Sequence, residues 1–415
     1  MDGVSWASFQ LSFIVIILEL PKLCHIVYDE FPHDSRVRRY TNFLVQNGVE
    51  TFVVCAGRAS SNYEPENAGI VKVYRLPMRK RRSSFGRRLF EYLTFEVYAF
   101  AMASYLFFRH RVKVFHIHNL PDFLVFSCVI PKLFGAKVIL DFHELFPEFM
   151  MQQAPALNAD SIPIKILRFQ ERLAVRFADE VITIHEPARD ILYRRNQGNT
   201  LKDIHIIMNA VDPGEIQEVV RSPSSNFSVF FAGTMNYSLN LELLVEAISK
   251  VRELDLSLYE SMHLHLYGDG PALKGVLEKA VNLKVANTIS YHGKVSYAET
   301  IKAACKASVC VIPAEKNIYS DLYYSLKLVE MIYIGVPLIA PRLMTYQYYY
   351  PESAILYYEP GNAGDLADKI IYAANNPDQM RERAKEALRA YEPYSWVVMS
   401  QRYRDVLSGL FRDQK

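Results

Sequence analysis

What the chain lacks narrows its function before any motif is read. Its five cysteines (Cys24, Cys55, Cys128, Cys305 and Cys310) are scattered and form no Cys-x-x-Cys pair. A disulfide framework and a dithiol redox motif are excluded, and reduced, mostly buried thiols of a cytosolic protein are expected. No group of histidines and cysteines has the sequence spacing of a metal site. Asp-x-Asp and the Walker-type Gly-Lys-Ser/Thr are both absent, so no divalent-ion or P-loop chemistry is indicated. No charge of one sign dominates. The 47 Lys plus Arg face 45 Asp plus Glu, a net charge of +2, which does not fit a whole-protein nucleic-acid binder. Long hydrophobic runs are missing as well. The uncharged stretch Gly3–Leu18 is shorter than the roughly 20 residues of a membrane span. It has neither the basic leader region nor the small-residue cleavage site of a secretory signal. It reads as a hydrophobic extension over residues 1–21, with a membrane-touching leader as the alternative. The chain has no internal repeat and no low-complexity tract.

What is present is a long α/β pattern. At 415 residues the chain exceeds one ordinary core, and two domains are the natural reading. Half the residues are hydrophobic and 22% are charged, the balance of a folded globular protein. Short apolar runs read as buried strands: Leu23–Tyr28, Thr51–Cys55, Val114–His118, Lys137–Asp141, Glu180–His185 and His205–Asn209. A second series follows at Ser228–Ala232, His263–Gly268, Ile289–Gly293, Val309–Pro313 and Pro337–Ala340. Amphipathic stretches such as Arg36–Asn47, Ile164–Ala178, Asn240–Val251 and Pro271–Val281 lie between them. Such alternation predicts parallel sheets with helices on both faces. Pro213, Pro223 and a Ser/Asn cluster interrupt it over Val211–Phe227, dividing the chain into residues 22–212 and 213–393. A last amphipathic stretch falls within 394–415. Ligands of doubly wound sheets bind outside the strand C-termini, so the residues just after each strand are the ones to weigh.

The densest signal is Tyr324-Ser325-Leu326-Lys327-Leu328-Val329-Glu330-Met331, which runs into Gly335-Val336-Pro337-Leu338-Ile339-Ala340. It predicts a helix starting at Ser325 and feeding a buried strand. Lys327 and Glu330, three apart, share one face of its first turns. A cation beside the N–H groups of a helix N-terminus makes an anion site, and a carboxylate one turn on can accept from sugar hydroxyls. The bland reading is a surface ion pair, nearly neutral in energy. Its place between Pro313 and a buried strand argues against a solvent face.

Other segments follow strands in a fixed order: Pro32-His33-Asp34-Ser35-Arg36, Val114-Phe115-His116-Ile117-His118-Asn119-Leu120-Pro121-Asp122, Asp141-Phe142-His143-Glu144-Leu145 and Asn209-Ala210-Val211-Asp212. In the second half come Phe231-Ala232-Gly233-Thr234-Met235, Tyr267-Gly268-Asp269-Gly270-Pro271 and Tyr291-His292-Gly293. With Lys327–Ala340, this series resembles glycosyltransferase family 4 (group 1), the retaining GT-B enzymes, from about residue 22 to the C-terminus. The resemblance implies two Rossmann-like doubly wound domains with an interdomain cleft. It implies an acceptor domain first, a nucleotide-sugar domain second, and a C-terminal helix crossing back. The chain departs from the family pattern at three points. Leu322 stands where the first of two glutamates is usual, with Glu330 at the second. Thr234 replaces a common arginine, and Asn240 a common lysine. Phosphate neutralisation therefore falls on Lys327 and the helix N-terminus.

Each candidate has a structural alternative. Gly233 reads as a diphosphate contact or a tight turn, with Thr234 and Asn236 beside it on the donor side. Gly268 and Gly270 divide evenly between nucleotide contact and turn. His118 closes its strand and is a candidate to touch the transferred sugar or hold charge during transfer. His116 is assigned to the opposite face as structural. His143 and Glu144 border the acceptor pocket that the resemblance implies. Arg36 reads either as a phosphate clamp reaching across the cleft or as part of a helix start, for which Asp34 is the N-cap. The run Arg79-Lys80-Arg81-Arg82-Ser83-Ser84-Phe85-Gly86-Arg87-Arg88, followed by the aromatic stretch Leu89–Phe108, suits peripheral contact with an anionic membrane better than nucleic acid. The expected protein is a hexosyltransferase-type enzyme. It moves a sugar from a UDP- or GDP-linked donor to a glycan or lipid-linked hydroxyl acceptor, in cell-surface polysaccharide or glycolipid assembly. It needs no metal or other cofactor, and it is cytoplasmic, with peripheral contact at the inner membrane face. Catalytic roles fall to His118, Glu330 and Lys327, with Ser325 at the helix start. A nucleotide-sugar epimerase of the same architecture and a catalytically silent GT-B binding domain are the alternatives.

Overall fold

The computed structural model describes residues 20–57, 70–78, 85–154, 156–196, 203–216, 221–224 and 226–411. The extension 1–19 and the basic residues 79–84 lie outside the described residues. Two wholly parallel sheets organise the chain. The first takes β1 (Leu23–Glu30), β2 (Thr51–Ala56), β3 (Val71–Leu76), β4 (Val114–His118), β5 (Lys137–Phe142), β6 (Glu180–Thr183) and β7 (Ile204–Ile206) in the order 3-2-1-4-5-6-7. The second takes β8 (Ser228–Ala232), β9 (His263–Tyr267), β10 (Ile289–Tyr291), β11 (Val309–Val311), β12 (Leu338–Pro341) and β13 (Leu356–Tyr358) in the order 10-9-8-11-12-13. Strand order reverses at β1/β4 in one sheet and β8/β11 in the other, and these switch points open the crevices that hold ligands.

Strand composition accounts for the layering. All six residues of β2 are buried, as are all five of β4, the mark of parallel strands covered on both faces. Several expected strands are shorter than their apolar runs: His185, Asn209, Gly268, Gly293 and Pro313 all lie beyond the strand ends. There the chain bends out of the sheet to form loops. Edge strands β3 and β13 escape the sequence pattern. His116 and His118 sit on one face of β4, with ring centroids 4.2 Å apart, not on opposite faces. Side chains alternate along a strand, so residues two apart share a face.

Helix α1 (Ser35–Gln46) begins where Asp34 accepts from the N–H groups of Arg36 and Val37, the N-cap expected of it. The helices α2 (Phe85–His110), α3 (Val129–Leu133), α4 (Phe146–Gln153) and α5 (Ile162–Phe177) flank the first sheet. Among the described residues no helix is long and apolar enough to cross a membrane. The final helix, Trp396–Gly409, packs on the first sheet's layer: the Tyr403 ring lies tilted against Tyr40, with centroids 4.3 Å apart, and its hydroxyl is 2.9 Å from His116 Nδ1. One apolar cluster therefore runs from Leu23, Tyr40 and Ile207 through Trp396 and Tyr403 to Leu328 and Tyr346 of the second half. Leu322 also crosses over. It is buried in the cluster beneath the first sheet, and its carbonyl accepts from His185 Nε2 at 2.8 Å.

The Tyr403 hydroxyl is buried against an imidazole that is itself wholly buried. Tyr403→Phe is expected to lower unfolding free energy by about 1–3 kcal/mol in urea melts, without loss of the helical circular dichroism signal.

Candidate active site

The C-terminal ends of both sheets face a cleft of about 1470 Å³. Asp34, Asn119, His143 and Glu144 line it from the first half, with Tyr28 and Tyr92. Thr234, Asn236, Tyr319 and Lys327 line it from the second. Beneath the first wall lies Asp141, fully buried at the end of β5. Arg36 clamps it with both arms, Nε to Oδ2 at 2.9 Å and Nη2 to Oδ1 at 2.8 Å, while Nη1 donates to the Ile207 carbonyl at 2.7 Å. Burial alone would raise the Asp141 carboxyl. The Arg36 guanidinium and contacts from three histidines outweigh it and hold the group well below the usual carboxylate range. Arg36 is itself buried. It is therefore committed inside the domain and does not reach across the cleft to a phosphate.

A column of imidazoles rises from this pair to the cleft wall. His25 Nδ1 lies 3.0 Å from His118 Nε2, and His118 Nδ1 lies 2.9 Å from His143 Nε2. Each link needs one N–H and one lone pair, so the tautomers of the three rings are tied together. His118 is completely buried, and burial, reinforced by His116, lowers its pKa to about 3. It is a neutral support beneath His143 and does not meet the cleft, contrary to the expectation that it touches sugar. His143 is the ring at the wall, its side chain 18% exposed and its Nδ1 3.7 Å from Asp34 Oδ2. His118, Asp141 and His143 bring ligand-type atoms within 4.8 Å of one another, as do His25, His116 and His118. Sequence spacing hides both groups, because one joins β1 to β4 and the other joins β4 to the end of β5. Both Asp141 oxygens already accept from Arg36, and a cation there would face a buried guanidinium, so the donor set fits a hydrogen-bonded network better than a metal.

Asn119, which no sequence motif singles out, fixes the loop after β5. Its Oδ1 accepts from the His143 N–H at 2.7 Å, and its Nδ2 donates to the Glu144 carbonyl at 2.7 Å and Asp122 Oδ1 at 2.9 Å. The available signal is its place directly after a buried strand, where Asn side chains commonly hydrogen-bond nearby loop backbone. Glu144 then meets the second half: the Tyr319 hydroxyl donates to its Oε1 at 2.6 Å across the cleft. Burial raises the Glu144 pKa, and the Tyr319 contact opposes the rise.

The opposite wall is built around Lys327, two residues into the helix Leu326–Tyr333. Gly233, with φ +144°, leaves the room that Lys327 fills: a Cβ there would lie 1.9 Å from the ammonium nitrogen. Nζ also sits 5.4 Å over the Phe231 ring. Burial lowers the Lys327 pKa, and Glu330 partly restores it. Glu330 accepts from the Tyr297 hydroxyl at 3.0 Å, and burial raises it to about 7. Tyr297 is held there by a helix opening on a Ser296–Glu299 capping box. Ser325 occupies the cap position of the Lys327 helix, but its side chain bonds none of the first-turn N–H groups. Gly268 and Gly270 are packing glycines. A Cβ at Gly268 would lie 2.0 Å from the Gly233 carbonyl oxygen, and one at Gly270 2.4 Å from that of Met235. Neither is among the residues lining the cleft, nor are Gly233, Ser325 and Glu330 just behind Lys327, whereas Thr234, Asn236 and Lys327 are. Asn240, at the position of the absent lysine, donates to Glu315 Oε1 at 3.0 Å.

Burial is the largest influence on Glu330 and the Tyr297 hydroxyl opposes it. Tyr297→Phe is therefore expected to move the Glu330 titration above about 7, read from the carbon-13 shift of the labelled side-chain carboxyl.

Comparison with known proteins gives this arrangement a context. Residues 34–209 match the "Glycosyl transferase 4-like domain" model, and residues 226–376 match "Glycosyl transferases group 1". No curated protein matches the chain by sequence. Among solved structures, sucrose-phosphate synthase of Thermosynechococcus elongatus superposes with a TM-score of 0.74 at 16% identity, over 95% of this chain and 100% of that one. HepE of Anabaena, solved in complex with UDP, gives 0.67 at 14%, over 94% and 100%. WaaG, a glycosyltransferase involved in lipopolysaccharide biosynthesis, gives 0.69 at 13%, over 93% and 100%. These likenesses establish the shared GT-B fold. The family models match one half of the chain each, on either side of the cleft, and the protein is a glycosyltransferase that belongs to the group 1 family.

Proposed function

We propose that the protein transfers a sugar from a nucleoside-diphosphate sugar to a hydroxyl acceptor with retention of anomeric configuration. The acceptor is a glycan or a lipid-linked glycan of cell-surface polysaccharide or glycolipid assembly, met at the cytoplasmic face of a membrane. The observation that carries this reading is Lys327 seated on Gly233 at the β8/β11 crevice, facing His143 and Glu144 across the cleft. The donor's diphosphate lies against the Lys327 ammonium and the first turn of its helix. Both stabilise the charge that grows on the leaving group. Glu330 orients ribose or sugar hydroxyls. The acceptor hydroxyl approaches from the first wall, where Glu144, Asp34 and His143 offer hydrogen-bond partners. The anomeric centre passes through an oxocarbenium-like state, and apposition of the two halves excludes water. No step is assigned to an enzymic nucleophile or to a divalent ion, since Lys327 supplies the neutralising charge. UDP is favoured over GDP by the neighbour solved with UDP and with UDP-glucose.

Incubation with UDP-sugars and GDP-mannose is expected to release nucleoside diphosphate, and NMR of the product to show the donor's anomeric configuration. Lys327→Ala should lower kcat/KM by about 10²- to 10³-fold, the loss typical of a group that meets developing charge. EDTA should leave the rate unchanged. An inverted product, or a Lys327→Ala enzyme as fast as the parent, would remove the basis of the reading. Interconversion of the nucleotide sugar without release would place the chain among epimerases.

A further inference from the structure

Four charged side chains meet behind the first wall of the cleft, apart from the histidine column. Asp122 opens the turn Asp122–Cys128, Glu148 stands in α4, Glu171 in α5, and Arg195 in the helix Glu186–Asn196. The three acids are buried, Asp122 and Glu171 completely and Glu148 all but 2%. The Arg195 guanidinium grips both oxygens of Glu148, with Nη1 at 3.1 Å from Oε2. The same Nη1 donates to Glu171 Oε2 at 3.1 Å. Asp122 Oδ1 accepts from Asn119 Nδ2 at 2.9 Å. Two oxygens are left over. Asp122 Oδ2 and Glu171 Oε1 are buried with no hydrogen-bond partner among the described residues.

Charge counting shows what these oxygens need. Three carboxylates against one guanidinium leave two negative charges in an interior where an uncompensated ion is costly. Glu148, held by two N–H groups, neutralises Arg195. Asp122 and Glu171 each keep one bare oxygen, and a proton on either removes a charge and supplies a donor. Burial pushes Asp122 up to about 7 and Glu171 up to about 8, with Arg195 opposing both. The charged groups that the other packed elements turn inward are engaged elsewhere. On α2, Glu91 lies beside Arg87, Arg88 lines the cleft, and Glu96 lies near Cys128. Lys132 of α3 pairs with Asp179, and Asp141 of β5 with Arg36. His118 of β4 sits between His25 and His143. On α5, Arg168 and Arg172 donate to the carbonyls of Ala159 and Arg195.

The cluster reaches the cleft by two routes. Asp122 holds the Asn119 amide, and Asn119 holds the His143 N–H and the Glu144 carbonyl. Glu148 belongs to the helix that starts just past Glu144 and brings Phe149, Met151 and Gln152 to the cleft. We propose that Asp122 and Glu171, beside the Arg195–Glu148 pair, form a proton-binding site, and that Asp122 acts through Asn119 as a positioning residue for the loop His143–Glu144. The proton comes from solvent and returns to it, so the bond made and broken is an O–H bond. With the proton bound, the bare oxygens share one donor. Without it, two buried carboxylates repel and the hold on Asn119 loosens. The effect on the sugar acceptor rests on the glycosyltransferase reading of the cleft; the proton site does not.

The test follows the full-length protein from about pH 6 to about pH 9. Infrared difference spectra are expected to show buried carboxyl groups losing protons over this range. Glu96 and Glu330 contribute there too, so the cluster's share is what Asp122→Asn and Glu171→Gln each remove. A carboxyl raised above its unfolded value of about 4 takes up a proton on folding, so stability falls as pH rises between the two values. The parent's unfolding midpoint should therefore fall more steeply with pH than that of Asp122→Asn. The amide NMR signals of His143 and Glu144 should move with the cluster's titration in the parent, and that movement should be lost in Asp122→Asn. In transfer, the parent's acceptor KM should rise several-fold toward pH 9 and that of Asp122→Asn stay flat. Asp122→Ala should raise it about tenfold at every pH, with donor KM unmoved. The proton site is overturned if neither substitution removes a carboxyl signal, or if the melts of parent and Asp122→Asn run parallel. The positioning role is overturned if the two amides ignore the titration, or if a folded Asp122→Ala protein transfers like the parent. Should Asp122→Ala fail to fold, the spectra and Asp122→Asn decide. Absence of transfer with every donor would strike the reading of the cleft, while spectra, melts and amide signals still decide the proton site.

Discussion

The cleft depends on one buried ion pair. Arg36 comes from the first turn of α1, Asp141 from the end of β5, and the guanidinium's remaining arm holds the carbonyl of Ile207 just past β7. Three chain segments, the last two lying 105 and 171 residues beyond the first, are thereby pinned at the level where the strands end. Two charges taken out of water are costly unless the geometry is excellent and their remaining valences are filled. Here they are: the fork is bidentate, and the carboxylate is approached by His116, His118 and His143, each at 3.5 Å. Removing one partner would strand the other, at a cost on the order of 3–5 kcal/mol. The pair is therefore weak evidence for stability but strong evidence for a fixed geometry.

That geometry is passed outward by hydrogen bonds. His118 sits between Asp141 and His143, so the wall ring inherits its position from the buried charge. Asn119 then ties the backbone of His143 and Glu144 to the end of β4. The C-terminal helix enters the same network through Tyr403 and His116. A helix that belongs to the end of the chain thus closes the first half's interior, and its apolar side joins the core of the second half. The two halves are coupled from below by packing. Across the cleft they meet through the contact of Tyr319 with Glu144, and away from it through the buried bond from His185 to the Leu322 carbonyl.

Much of this was legible because central parallel strands must be apolar throughout, and the glycines and prolines that end them are explicit. The two-sheet architecture, the N-cap at Asp34 and the helix carrying Lys327 and Glu330 all follow from that grammar. Strand β3, Val71-Lys72-Val73-Tyr74-Arg75-Leu76, is partly exposed at a sheet edge, and its charged residues hide it. Strand β13 is three residues long, too short to show a period. The site residues failed where tertiary pairing decides. Nothing local to Arg36 announces that its partner lies 105 positions away, so a phosphate clamp and a buried ion pair look alike in sequence. His118 illustrates the same limit. The end of a strand is the right address for a ligand contact, but whether a side chain there meets solvent depends on the next strand's loop, in this case His143. Leu322, placed where a carboxylate is usual, has an apolar task instead, filling the core beneath the first sheet.

The charge of the cleft constrains how a diphosphate is held. Among the described lining residues, Asp29, Asp34, Glu91, Glu144 and Glu315 are acidic, whereas Arg88 and Lys327 are the cations. An anionic ligand therefore gains nothing from the cleft's overall field. Its binding rests on contacts within a few ångströms, where a unit charge pair near a protein surface is worth about 4 kcal/mol and distant charges are screened. Gly233 matters for that reason. By yielding its side-chain space to Lys327 it seats the ammonium at the crevice floor, beside N–H groups that the Ser325 side chain leaves open. The carboxylates opposite are suited to a different partner, the hydroxyls of an uncharged saccharide, for which tyrosines 28 and 92 supply flat apolar surface beside hydrogen-bond acceptors. An acceptor bearing its own negative charge near the reacting hydroxyl would meet the acidic wall at short range, so the same distribution that makes donor binding local also disfavours anionic acceptors.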